Sequence, residues 1–226
     1  SIDLIIDPEV EEKIIICEES TKTSEISKNL MYEIAKYDCI YVTEKIFKTI
    51  SQVMNPQGIM AIIKKNNGRP IINYKEDIII ALDDIQDPGN LGTILRTVDS
   101  VGVKQLIVSK GTADVYNSKV VRSSMGAIFR VEVIEVDNLK DTIETIRRNG
   151  YELLVTSLQT DNSIYDINYN KKVIVIGNEA NGVSKEIQDM ADKKVKIPML
   201  GKTESLNASV ATGIILYEYV RQKLKK

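Results

Sequence analysis

The sequence predicts an α/β protein: a mostly parallel sheet with helices on both faces, preceded by a smaller α/β domain. Three observations carry this expectation. Ile78–Leu82 and Val173–Ile176 are continuous apolar runs, which suit strands covered on both faces, as in parallel sheets. Leu91, Ile94, Leu95, Val98 and Val101 fall on one helical stripe that Gly102 stops, and Leu106–Val108 follows as a strand, giving a βαβ unit. From Ser1 to about Ile63, short strand and helix patterns alternate.

In chain order, Ile14–Cys17 reads as a strand, and Thr23–Tyr37 as a helix with Ile26, Leu30, Ile34 and Tyr37 on one face. Cys39–Val42 is a second strand, Thr43 caps a helix through Ile50, and Gly58–Ile63 is a third strand. The opening IDLIID is apolar without a capping signal, so an element is expected upstream, since a three-strand module has little core. Lys64–Pro70, KKNNGRP, is the best boundary; its cations read as a solvated linker, with nucleic-acid contact as the other reading. The expected division is a domain over 1–66, a linker over 67–76 and a second domain over 77–226.

In the second domain, Pro88 and Gly89 make a turn and Asn90 is the expected N-cap of the following helix. Arg96 projects opposite the apolar stripe, where an arginine is by default solvated. Ser118–Ser124 reads as a short helix, and a strand follows near Arg130–Ile134. Arg122, Ser123, Ser124 and Arg130 read either as a phosphate cradle or as ordinary surface. Asn138 caps a helix through Asn149 that Gly150 stops, and Tyr151–Ser157 is a strand. After Val173–Ile176 comes the loop GNEANGVSKE. A short β-like segment at Val195 and Ile197 then breaks at Pro198, before a final helix dense in Ala208, Ser209, Ala211, Thr212 and Gly213. That last turn reads either as a capped amphipathic helix, with Ser205 as N-cap, or as a ligand turn backed by small residues that permit close approach. Polar loops at Asp87–Gly92, Gly177–Ser184 and Met199–Asn207 all follow strands, the edge where open α/β sheets collect ligands.

Composition narrows the chemistry. The 226 residues are 43% hydrophobic, carry a net charge of −2 and contain no histidine. A Ser-His-Asp triad and a histidine metal site are therefore excluded, and any basic surface is local. Cys17 and Cys39 lie in no ligand spacing and read as free thiols of a reducing compartment. No apolar run approaches the roughly 20 residues that span a bilayer, and no signal peptide is visible. A cytoplasmic protein without a membrane or metal partner is expected. The turn at 87–92 lacks G-x-G-x-x-G, which argues against a dinucleotide site.

Three segments carry a resemblance: D-P-x-N-x-G-x-I-x-R-T from Asp87, V-I-G-N-E-x-x-G-V from Val175, and I-P-M-x-G-x-x-x-S-L-N-x-S-V-A from Ile197. In order and spacing they resemble the signature motifs of the SpoU–TrmH family of SPOUT methyltransferases, over Lys75 to Arg221. Residues 1–63 look like the ribosomal-protein-like RNA-binding module that often precedes this domain. The resemblance implies methyl transfer from S-adenosylmethionine to a ribose 2′-hydroxyl, on ribosomal RNA first and transfer RNA second. It also implies a carboxy-terminal trefoil knot and a homodimer with the active site at the subunit interface. Carried over by motif, Gly177, Asn178, Ile197, Met199 and Leu206 are cofactor-binding, and Asn90, Arg96, Glu179, Ser205 and Asn207 are catalytic or substrate-binding. A guanidinium does not readily give up its proton, so Arg96 is expected to hold phosphate and stabilise the developing alkoxide. Glu179 is expected to position Arg96 or the ribose. A SPOUT-like RNA binder without catalysis, and a small-molecule α/β enzyme, are the other classes.

Overall fold

The computed structural model describes residues 3–7, 12–22, 28–65 and 70–225, and the chain divides into two compact units, Ser1–Gly68 and Arg69–Lys226. The first unit contains β1 (Asp3–Asp7), β2 (Lys13–Cys17), α1 (Glu18–Lys22), α2 (Lys28–Ile34), β3 (Cys39–Val42), α3 (Glu44–Ile50) and β4 (Ile59–Lys64). Its sheet runs β1-β4-β2-β3; β2 is antiparallel to β4 and parallel to β3, and β1 is parallel to β4. The opening apolar run, whose pattern alone assigns no element type, forms a fourth strand beside the three expected ones. Ile16, Ile34 and Ile59 pack on one face, and Cys17, Phe47 and Met60 on the other. Of the helix expected from Thr23, α2 covers the later part, and 23–27 lie outside the described residues.

The second unit comprises β5 (Ile78–Asp83), α4 (Pro88–Ser100), β6 (Gln105–Ser109), α5 (Ser118–Ser123), β7 (Glu132–Val136), α6 (Leu139–Arg148), β8 (Glu152–Thr156), β9 (Lys172–Gly177), α7 (Lys185–Asp189), β10 (Lys193–Val195) and α8 (Ala208–Lys223). The sheet is six-stranded in the order β10-β8-β9-β5-β6-β7, and every pairing is parallel. The continuous apolar runs follow from this. Ile78, Ile80 and Leu82 point into the core shared with α4 and α8, whereas Ile79 and Ala81 point into the core closed by α6 and α7. In β9, Ile174 and Ile176 take the first side and Val173 and Val175 the second. Each fully buried Ile, Leu or Val side chain contributes about 1.5–3 kcal/mol.

Part of the expected linker is packed into this unit. Ile72 and Tyr74 lie against the second core, and the buried Gln105 carboxamide pairs with both main-chain groups of Asn73 at 3.0 and 2.7 Å. The Lys171 ammonium donates to Tyr74 O at 2.6 Å and lies 4.6 Å from the Tyr151 ring centroid. Residues 66–69 lie outside the described residues. None of the helices among the described residues is long and apolar enough to cross a membrane.

Candidate active site

Along the sheet, β6 and β7 run out from β5 on one side, while β9, β8 and β10 lie on the other. The order therefore reverses at the β5–β9 pair, where Asp83 is in register with Gly177. Loops leaving such neighbouring carboxy ends diverge and open a crevice. Here a polar clamp ties them: Asn178 Nδ2 donates to Asp84 O at 2.8 Å, and Asp83 Oδ2 accepts from Ser184 N at 2.7 Å. Asp84 adopts φ 61°, a region that suits a short polar side chain better than most.

The N-terminus of α4 differs from the expectation. Asp87 is the N-cap, its Oδ1 accepting from Asn90 N at 2.8 Å, with Pro88 in the first turn. Proline at the first helical position loses nothing, because that amide has no partner within the helix. The Asn90 amide, followed by Lys119 Nζ at 3.2 Å, holds the Asp87 carboxyl below the usual carboxylate range. Because Asp87 caps, the Asn90 side chain is released for other contacts. Its Nδ2 donates to Glu179 Oε1 at 2.8 Å, and its Oδ1 accepts from Asn207 Nδ2 at 2.8 Å. Asn207 caps α8 in turn, its Oδ1 accepting from Ser209 N at 2.9 Å and Val210 N at 3.3 Å. Asn207 therefore replaces Ser205 as the N-cap of the last helix. One chain of hydrogen bonds, Glu179 to Asn90 to Asn207, joins all three motif segments. Glu179 Oε2 also accepts from Gln86 N at 3.4 Å.

The second loop is shaped by its own main chain. Asn178 Oδ1 accepts from Ala180 N at 2.9 Å and Asn181 N at 3.0 Å, and Gly182, at φ +69°, returns its N–H to Asn178 O at 2.9 Å. A Cβ on Gly177 would clash with Gly182 C and Val183 N, and would lie 2.5 Å from Gly182 O. Glycine is required because the loop's own return crosses it, and not merely to leave room for a ligand. Of the small residues of the last helix, Gly213 is not one that close approach within this chain requires. A Cβ on Gly213 meets only Thr97 Cγ2, at 3.9 Å.

A cavity of about 460 Å³ opens here. Gly177, Asn178, Ile197, Met199 and Leu206 all line it, together with Glu179 and Ser205. Asn90 and Asn207 stand behind this lining in the hydrogen-bond chain. Arg96 does not line it: it is exposed on the outer side of α4, with no side-chain partner among the described residues. The expected Glu179–Arg96 contact is absent within this chain, because the carboxylate turns to Asn90. The cavity walls combine apolar side chains, Ile176, Val195 and Ile215, with the polar main chain of 177–182, and the carboxylates Glu179 and Glu204 border it. That set fits a cationic nucleoside: apolar faces for a purine, polar edges, and negative charge for a sulfonium. No group of three or more His, Cys, Asp or Glu side chains suited to a metal forms among the described residues.

The alternative cradle around α5 is already consumed by the fold. Ser124 is buried and its Oγ donates to Val121 O at 2.8 Å; Ser123 Oγ donates to Lys119 O at 2.7 Å. Arg130 Nε donates to Asp99 Oδ2 at 2.9 Å. Only Arg122 is left without a side-chain partner among the described residues. Sequence reasoning did not assign a role to the Asp84–Asn178 clamp or the Asp87 cap. The second was legible as Asp directly before Pro.

Comparison with known proteins agrees with this geometry. Residues 77–217 match the model of the SpoU rRNA Methylase family. The 23S rRNA (guanosine(2553)-2'-O)-methyltransferase RlmP of Bacillus subtilis is 28% identical over 93% of this chain and 81% of its own length. A Putative TrmH family tRNA/rRNA methyltransferase of Staphylococcus epidermidis is 40% identical over 64% of this chain and 59% of its own length. Among solved structures, the SpoU methyltransferase AviRb from Streptomyces viridochromogenes, in complex with AdoMet, superposes with a TM-score of 0.79 at 28% identity. That match covers 94% of this chain and 83% of AviRb. A putative RNA methyltransferase of the TrmH family from Porphyromonas gingivalis gives 0.76 at 30% identity, over 93% and 82%. The chain belongs to the SpoU rRNA methylase family.

Proposed function

We propose that this protein transfers a methyl group from S-adenosylmethionine to a ribose 2′-hydroxyl of RNA, with ribosomal RNA as the first substrate class and transfer RNA as the second. The observation that carries the reading is the hydrogen-bond chain from Glu179 through Asn90 to Asn207, which draws three sequence-distant motifs to the rim of one cavity. When bound, S-adenosylmethionine supplies an electrophilic methyl on a sulfonium. Gly177, Asn178, Ile197, Met199 and Leu206 hold the cofactor, and the Glu179–Asn90–Asn207 chain fixes the loops around it. Ser205, exposed at the cavity edge, meets the ribose.

Arg96 keeps its proton and acts electrostatically, binding the neighbouring phosphate and the developing alkoxide. Its place outside the cavity of its own chain supports a shared site in a homodimer, in which one copy's Arg96 serves its partner's cavity. The carboxy-terminal knot belongs to the same reading: β10 pairs at the sheet edge with β8, whereas α8 returns to pack on α4. The first unit serves RNA capture, supported by the exposed Tyr32, Tyr37 and Tyr41. The cytoplasm, where these RNAs reside, is the proposed location.

Calorimetry of the full chain with S-adenosylmethionine, in buffer with and without a chelator, tests the reading. Saturable binding unaffected by the chelator is expected. An absence of binding, or binding that the chelator abolishes, overturns it.

A further inference from the structure

The segment from Arg122 to Arg130 forms two turns that the site described above does not use. Met125 N donates to Arg122 O at 3.2 Å, and Phe129 N to Gly126 O at 3.2 Å. Met125 has φ 50° and Gly126 φ 80°. Glycine takes that region freely, whereas a long side chain there is strained. The strained residue is also an exposed apolar one: Met125 is 65% exposed and Phe129, four residues on, 61%. The Arg130 guanidinium closes over Gly126, where a Cβ would lie 3.3 Å from Nη1, and Asp99 Oδ2 on α4 fixes it through Nε at 2.9 Å. Arg122 is exposed, with no side-chain partner among the described residues.

We propose that this surface binds an unstacked nucleotide in a single-stranded stretch of the RNA substrate, the base against Phe129 and Met125 and a phosphate on Arg122. The inference rests on the RNA reading above and adds a contact outside the cavity. Charge selects the occupant. Met125 and Phe129 lie in one segment bounded by Arg122 and Arg130, and Arg122 has no carboxylate partner among the described residues. In a chain of net charge −2, a local surplus of cations around an exposed ring suits a polyanion that carries stacking bases. A predominantly apolar protein partner would bury Arg122 without a counter-charge.

Binding of the full-length protein to a labelled single-stranded oligoribonucleotide, and to the same sequence as a duplex, tests the proposal. Phe129→Ala should weaken single-strand binding roughly 5- to 150-fold, the range that loss of one stacked base gives, and Phe129→Tyr should restore it. Duplex binding and S-adenosylmethionine affinity should be unchanged. Met125→Gly separates function from folding: it relieves the strained backbone, so the melting temperature should hold or rise while single-strand binding falls. Wild-type binding in both Phe129→Ala and Met125→Gly overturns the proposal. So does dissociation of a wild-type dimer by either change in sedimentation, which assigns the surface to a second copy. A wild-type protein that binds the cofactor but neither RNA overturns the functional reading as well.

Discussion

Asn90→Asp alters one atom of the hydrogen-bond chain. The substitution keeps the shape and the acceptor that Asn207 uses, but replaces the donor to Glu179 with a second carboxylate oxygen at the same 2.8 Å. Two unit charges at that distance repel by about 1.5 kcal/mol in bulk water and about 6 kcal/mol at an effective permittivity of about 20. Glu179 is exposed and Asn90 is buried, so the effect lies between these limits. Taking up one proton at neutral pH caps the penalty at about 4 kcal/mol. If the whole of it is felt at the cavity, cofactor affinity falls by about tenfold to nearly a thousandfold. The sign with pH is fixed. Like charges favour a shared proton, so the deficit should shrink as pH is lowered from about 8 to about 5.5, while the wild-type affinity changes less. Calorimetric titration of both proteins across that range measures it. A deficit independent of pH, or none at all, would refute the claim that the Glu179–Asn90 contact shapes the site.

Gly177→Ala should lose cofactor binding and cost about 1–3 kcal/mol of stability, because its Cβ meets main chain that cannot rotate away. Gly213→Ala, with 3.9 Å of room, should gain up to about 1 kcal/mol in helix propensity, and paired thermal melts distinguish the two. The buried Glu218 carboxylate accepts from Arg221 Nε and Nη2 at 2.6 Å, and that pairing holds it below the usual carboxylate range. Its stabilisation is therefore complete above the unfolded value of about 4.3 and is lost as pH falls through the folded one. In Arg221→Ala the largest cause of that depression is gone while Gln222 Nε2 still donates to Glu218 Oε1 at 2.8 Å, so the stability lost on acidification should be smaller than in the wild type. Parallel melting profiles for the two proteins would contradict that. Sedimentation of the full chain at micromolar concentration should report a dimer, and a monomer removes the shared site.

Much of the fold was legible because it rests on short-range pattern. The runs at 78–82 and 173–176 are apolar throughout since alternate side chains enter opposite cores, and Asn138 and Gly150 bound α6 by local hydrogen bonding. Errors arose where two residues competed for one role. Asp87 outranks Asn90 as a cap because proline fixes the next position, and Asn207 outranks Ser205 for α8. The contacts that turn the motifs into a site join residues 89 and 117 positions apart, and no periodicity encodes them. Ser123, Ser124 and Arg130 read equally as a phosphate cradle or as ordinary surface, because composition cannot tell that their polar atoms are spent on the fold. Arg96 lies on the polar face of α4, as the apolar stripe predicts, because the stripe alone fixes which side of a helix is buried.

The central claim, that the transferred methyl ends on a ribose oxygen, is tested most directly by product identity. The protein is incubated with isotopically labelled S-adenosylmethionine and ribosomal RNA, and the RNA is digested to nucleosides and resolved by mass. The account predicts label in a single 2′-O-methylnucleoside. It also predicts a loss of about a hundredfold to a thousandfold in single-turnover rate for Arg96→Ala, with cofactor affinity retained. Label on a base, or an Arg96→Ala protein that methylates at the wild-type rate, would contradict it.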